Sequence, residues 1–145
     1  MFQHLLLPTD GSELALLAAR KGVSFAKSSG ARLTVLTVTP EFRPDGLQAH
    51  AMLRAVREDE AHSRSVAHKT LEAVARVGRE AGLDCALLHQ VSDKPAEVIT
   101  RVADDLGCDL IWMASHGYSG LRALVLGSVT AEVLARSRIP VLVWR

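Results

Sequence analysis

Apolar positions in this chain come in short blocks separated by longer stretches of helical spacing. Runs dominated by Leu, Val and Ile occupy residues 2–7, Arg32–Thr39, Leu110–Ala114 and 139–144. A weaker run, Cys85–Val91, is interrupted by His89 and Gln90. Runs of this length and near-continuous apolar character predict strands buried on both faces. Between them, residues 13–27 carry Leu14, Leu17, Ala18 and Phe25 on one side, and residues 48–81 carry Val66, Leu71, Val74 and Val77. Residues 95–106 place Ile99, Val102, Ala103 and Leu106 together, and residues 129–135 do so with Val129, Val133 and Leu134. The resulting β-α-β-α-β-α-β-α-β order predicts an α/β fold with a parallel sheet and helices on both faces. Residues 40–46 hold two prolines and a glycine and read as a loop. Neither flank of that loop could form a core alone, so residues 1–145 read as one domain.

The final run has its own implication. Pro140 is tolerated best on a sheet edge, and only Arg138 and Arg145 flank the run with charge. An apolar edge strand pairs with another chain unless it is covered. Strand 139–144 is therefore expected to form a homodimer.

Composition narrows the class of protein. The chain has 145 residues, 48% hydrophobic and 23% charged, which suits a globular protein with one sizeable core. Its 17 basic and 16 acidic residues leave a net charge of +1, so no basic surplus points to nucleic acid. No run approaches the roughly 18 apolar residues of a membrane span, and the first residues lack the basic start of a signal peptide. A cytoplasmic location is expected. Cys85 and Cys108 form no C-x-x-C and no zinc spacing with histidine, and read as small buried hydrophobes in a reducing compartment. His50, His62 and His68 share no i, i+4 face, so they predict no metal site. Glu58, Asp59 and Glu60 read as a solvated helix face. Trp112 and Trp144 read as core and interface anchors.

Two connections stand out for their chemistry. Pro8-Thr9-Asp10-Gly11-Ser12 follows the first strand, and MASHGYSGLRALVLGS, residues 113–128, links the fourth strand to the last helix. In open α/β sheets, ligands bind beyond the carboxyl ends of strands where the strand order reverses. If the first and fourth strands are neighbours, both connections face one crevice. Glycine lets the main chain approach an anion closely, and Gly127-Ser128 would open a helix whose N–H groups favour negative charge. The same residues also fit a plainer role, in which the glycines make turns and Ser128 caps the helix. Asp10 likewise fits either ligand contact or a cap on the first helix. His116 fits either a phosphate donor or a turn residue facing solvent. Neither a G-x-x-x-x-G-K-[ST] loop nor a G-x-G-x-x-G after the first strand is present.

Ala114-x-x-Gly117, then nine residues, then Gly127-Ser128 resembles the G-x-x-G-x9-G-[ST] signature of the universal stress protein family. The segments LLLPTDGSELA, CDLIWMASHG and GSVTAEVLARSRIPVLVWR resemble family segments in the expected order, so the similarity runs the length of the chain. It implies a five-stranded parallel sheet in the order 3-2-1-4-5, of the adenine-nucleotide alpha-hydrolase-like type. Members with the signature bind ATP or related adenine nucleotides such as ADP and AMP, and Mg2+ could accompany the phosphates. By this resemblance Gly117, Gly127 and Ser128 match phosphate-contacting positions, with Ala114 in place of the first glycine. Asp10 matches an acidic residue near the adenosine end, Val38 a position whose backbone lies against adenine, and Pro8 would line the same pocket. Two departures stand out. The Ala114 methyl is harmless at negative φ and obstructive at positive φ. Tyr118 stands where many relatives carry a basic residue, and Arg122 is close enough in sequence to compensate.

No catalytic constellation accompanies these residues. Ser115 and His116 are adjacent but lack a third orienting group, and no second acidic residue near the loop suggests a metal for hydrolysis. The H-x-G-H and S-G-G-x-D-S motifs of related ATP-using enzymes are missing after the first strand. The reading is a homodimeric adenine-nucleotide-binding stress regulator or sensor without efficient catalysis, acting on a protein partner that the residues do not identify. A nucleotide-free interaction module and a slow ATP-hydrolysing enzyme are the alternatives.

Overall fold

The computed structural model describes residues 1–46, 48–117 and 126–145. In chain order the elements are β1 (His4–Pro8), α1 (Glu13–Ser29), β2 (Arg32–Thr39), α2 (Ala49–Ala81), β3 (Cys85–Val91), α3 (Pro95–Asp105), β4 (Leu110–Ala114), α4 (Ser128–Arg136) and β5 (Val141–Trp144). All strand pairs are parallel and the sheet order is β3-β2-β1-β4-β5. The chain therefore builds outward from β1 to β3, then crosses back to place β4 on the other side of β1. The reversal lies between the carboxyl ends of β1 and β4.

Leu5, Leu6 and Leu7 are successive and almost wholly buried, which requires cover on both faces of β1. Leu5 and Leu7 join Val23, Val35, Leu71, Val74 and Trp112 beneath α1 and α2. Leu6 joins Leu36, Ile99, Val102, Met113 and Val133 beneath α3 and α4. Each such leucine contributes roughly 1.5–3 kcal/mol by leaving water, so β1 anchors both halves of the core.

Several details differ from the expected pattern. The first strand begins at His4 rather than residue 2, because the Asp109 carboxylate accepts from the Gln3 and His4 amides (2.8 and 2.9 Å) at the edge of the ladder. The last strand begins at Val141 rather than residue 139. Ile139 donates its amide to the Ser137 hydroxyl (3.2 Å), and Pro140 has none to give. On α1 the buried face is Ala15, Ala18, Ala19, Gly22, Val23 and Ala26, while Leu17 is 55% exposed. Small side chains let that helix lie close to the sheet, and the larger leucine is turned outward. Val66, Leu106 and Leu134 are likewise exposed. Both cysteines are free; Cys108 is buried and its thiol is pushed up to about 11 by burial, whereas Cys85 is only half-buried. Trp112 is buried and donates its indole N–H to the Ala18 carbonyl (2.8 Å), while Trp144 is partly buried with Lys21 Nζ 5.7 Å above its ring.

Two histidines are held in settings that disfavour charge. His4 is buried; its Nε2 pairs with Thr34 Oγ1 (2.8 Å) and its Nδ1 has no partner among the described residues. Burial and the Arg32 charge lower its pKa from 6.5, against the opposing pull of the Leu106 backbone and Asp109. His89 Nε2 meets Thr39 Oγ1, which also meets Ser63 Oγ (both 2.7 Å), and burial lowers the His89 pKa too. Below pH 6.5 the unfolded chain takes up protons at these sites that the folded chain refuses. Stability is thus expected to be level above pH 6.5 and to fall as the pH drops below it. Urea melts between pH 7.5 and 5 check this, and His4→Gln should flatten the slope; an unchanged slope would contradict it.

Candidate functional site

The connection after β1 is organised by its own short side chains. Thr9 donates its amide to the Leu36 carbonyl (2.8 Å), carrying the chain along β2 beyond Pro8. Asp10 Oδ1 accepts from the Ser12 amide (2.9 Å), and Ser12 Oγ accepts from the Ala15 amide (3.2 Å). Ser12, not Asp10, is therefore the N-cap of α1. Asp10 is exposed, with its carboxylate beside Gly117 at the mouth of the reversal point.

The connection after β4 is pinned on both sides. The Ser115 amide bonds the Trp144 carbonyl (2.8 Å), and the Gly127 amide returns to the Ser115 carbonyl (2.7 Å). Thr130 Oγ1 donates to the Ala114 carbonyl (2.9 Å), tying the first turn of α4 to the end of β4. Gly127 is the N-cap of α4 and Ser128 its first residue, with no side-chain cap bond. Ser128 thus does not cap the helix, and with Val129 and Thr130 it lines the crevice. A side-chain carbon on Gly127 would lie 3.0 Å from His116 Cα and 3.2 Å from the Ser115 carbonyl oxygen; one on Gly117 would collide with the Asp10 carboxylate. An added carbon would crowd main chain at Gly127 and the end of the Asp10 side chain at Gly117.

A cavity of about 430 Å³ lies between these connections. Pro8, Asp10, Val38, Ala114, His116, Gly117, Gly127 and Ser128 all line it. Arg122 and Tyr118 lie outside the described residues. Ala114 is extended within β4, opposite Trp144, so its methyl meets no backbone penalty and packs toward Ala15 and Ala18 of α1. His116 is half-buried, with Nδ1 3.1 Å from Ser115 Oγ; among the described residues no carboxylate orients its ring. The other ionisable group among the described lining residues is Asp10.

Much of the remaining lining is apolar, made by Leu36, Val38, Pro95, Ile99, Met113 and Val129. Pro95, Ile99 and Met113 were legible in the sequence only as core or helix-start residues, because nothing local marks the α3 side of the crevice. The Asp93 carboxylate accepts from the Glu41 amide (2.9 Å) and from Arg43 Nε and Nη2 (3.0 and 2.8 Å), fastening the loop after β2 to the entrance of α3. These bonds hold the Asp93 carboxyl below its usual range. Chemically the crevice brings the start of α4, with the Ser128 side chain, together with apolar side chains from β2, α3 and β4. Among the described residues, no group of three or more His, Cys, Asp or Glu side chains could hold a metal, and no helix is long and apolar enough to cross a membrane.

Residues 1–145 match the family model described as the universal stress protein family. A universal stress protein of Thermus aquaticus is 34% identical over 145 residues, covering 100% of both chains. Among solved structures, the protein MJ0577 of Methanocaldococcus jannaschii superposes with a TM-score of 0.81 at 28% identity, over 99% of this chain and 95% of that one. A universal stress protein in complex with cAMP gives a TM-score of 0.74 at 26% identity, over 99% and 97%.

Proposed function

The chain belongs to the universal stress protein family, and from that premise we propose that it binds an adenine nucleotide, ATP or its shorter relatives ADP and AMP, in the crevice beyond β1 and β4. The observation that carries this is the pair Gly117 and Gly127, each in a position that a side-chain carbon would fill, beside the uncapped start of α4. Gly117, Gly127, Ser128 and His116 would face the phosphates. The slot between Val38, Pro95 and Ile99 has the apolar character that an adenine ring requires, and Pro8 and Asp10 would border the ribose. The solved relative in complex with cAMP supports the ligand class. A Mg2+ ion would depend on the nucleotide's own phosphates for most of its ligands, with Asp10 the nearest carboxylate.

On this reading the protein is a single-domain cytoplasmic regulator or sensor, without efficient catalysis, that signals nucleotide occupancy to a protein partner. Homodimerisation would run through the 139–144 edge, where all four residues of β5 are half-buried at one end of the sheet. Denaturing freshly purified protein and identifying the released nucleotide by chromatography, followed by calorimetric titration of ATP into emptied protein, tests the reading. Stoichiometric adenine nucleotide is the expected result. No released nucleotide and no heat of binding at millimolar ATP would leave a nucleotide-free interaction module instead.

A further inference from the structure

The sheet has a second free edge. Among the described residues β3 pairs with β2 alone, and it contains neither proline nor Asp, Glu, Lys or Arg over its seven positions. The Ser92 amide bonds the Thr39 carbonyl. Backbone direction alternates along a strand, so Ala86, Leu88 and Gln90 face β2, and the amides and carbonyls of Cys85, Leu87, His89 and Val91 point outward. Leu87 and Val91 are 43% and 54% exposed and Ala86 is also exposed, so nothing among the described residues covers this edge. A strand of this length and composition, lacking the charges, prolines or bulges that normally blunt an edge, is a template for pairing.

We infer that β3 is a self-association edge that pairs antiparallel with β3 of a second copy of this chain. The occupant follows from self-complementarity. Outward-facing residues must oppose one another across such a pair, and the register centred on His89 sets Leu87 of one copy against Val91 of the other, twice. The two most exposed apolar side chains of the strand then cover each other on one face of the joined sheet. The pairing ends with β3, since Lys94 caps α3 and lies 3.9 Å from Glu97 of its own chain. A register centred on Leu88 would instead set Leu87 against His89 and Val91 against Cys85. This interface is independent of nucleotide binding and distinct from the β5 edge. With both edges paired, copies would join alternately into a closed tetramer or an open ribbon.

Sedimentation of the 145-residue chain tests the interface. A Val143→Lys variant, which blocks β5, should still dimerise, and adding Leu87→Lys should leave a monomer. Val91→Lys in place of Leu87→Lys should likewise leave a monomer. In the otherwise native chain, Leu87→Cys with Val91→Cys should form intermolecular disulfides. Directly opposed residues of this type have Cα atoms about 5.5 Å apart, within disulfide reach. A monomeric but folded Val143→Lys variant, or absence of the cross-link, would each overturn the inference. A folded monomer would leave the edge to an extended segment of another protein.

Discussion

The Gly127→Val variant is expected to bind ATP roughly ten- to a hundredfold more weakly than the native protein, with its folded structure retained. Gly127 has φ −58° and ψ 151°, which valine tolerates, so the effect is steric rather than conformational. Its first side-chain carbon would meet His116 Cα at 3.0 Å, the Ser115 carbonyl oxygen at 3.2 Å and His116 Cβ at 3.3 Å. Two of these are main-chain atoms and cannot swing aside. Relief requires the end of β4 and the start of α4 to separate, which strains the 2.7 Å bond from the Gly127 amide to the Ser115 carbonyl. Overpacking of this kind costs about 1–3 kcal/mol, and here it falls on the groups proposed to face the phosphates. Each 1.4 kcal/mol is tenfold in affinity. Ser128→Ala removes one hydroxyl donor without moving backbone, and is expected to cost about tenfold. Calorimetric titration of both variants, with a thermal melt to confirm folding, checks the order of effects. Native affinity in Gly127→Val would remove the cradle from the site.

Gly78→Ala is expected to destabilise the fold by about 2 kcal/mol, although alanine is the better helix former. Gly78 lies in the last turns of α2, where an added carbon would lie 2.6 Å from Cys85 Sγ and 2.7 Å from the Leu83 carbonyl oxygen. The Leu83 amide bonds the Gly78 carbonyl (2.8 Å) as the chain reverses through Gly82 at φ 76°. The carbonyl that would be struck therefore belongs to the tight turn that ends the helix. Alanine gains about 1 kcal/mol of intrinsic helix preference, whereas overpacking against backbone stands at the upper end of about 1–3 kcal/mol or beyond. The packing effect wins. For a domain of this size the loss corresponds to a fall in Tm of roughly 6 °C, measurable by calorimetry. A rise in Tm would mean that the α2–β3 turn relaxes freely.

What the residues determine by themselves is local. Apolar runs and helical spacing fall within a few residues, so the nine elements and their order can be read from the chain, with β2, β3 and β4 at their full extents. The signature glycines are legible for the same reason, as small residues gathered in one connection, and at Gly127 an added carbon would crowd the main chain. The strand order came from family resemblance, since apolar strands specify a buried parallel sheet but not which of them are neighbours. Contacts between distant segments decided the rest. Asp109 takes the amides that would have lengthened β1, and Ser137 with Pro140 shortens β5. Ser12 carries the cap that Asp10 could have supplied, and Leu17, Leu106 and Leu134 turn outward although their spacing fits a buried stripe. Ile99 and Pro95 reach the crevice only because α3 packs across the end of β2. The exposure of Leu87 and Val91 likewise exists only because β3 ends the sheet. Periodicity reports which side of an element is apolar, whereas burial depends on what arrives opposite, and that is a property of the assembled fold.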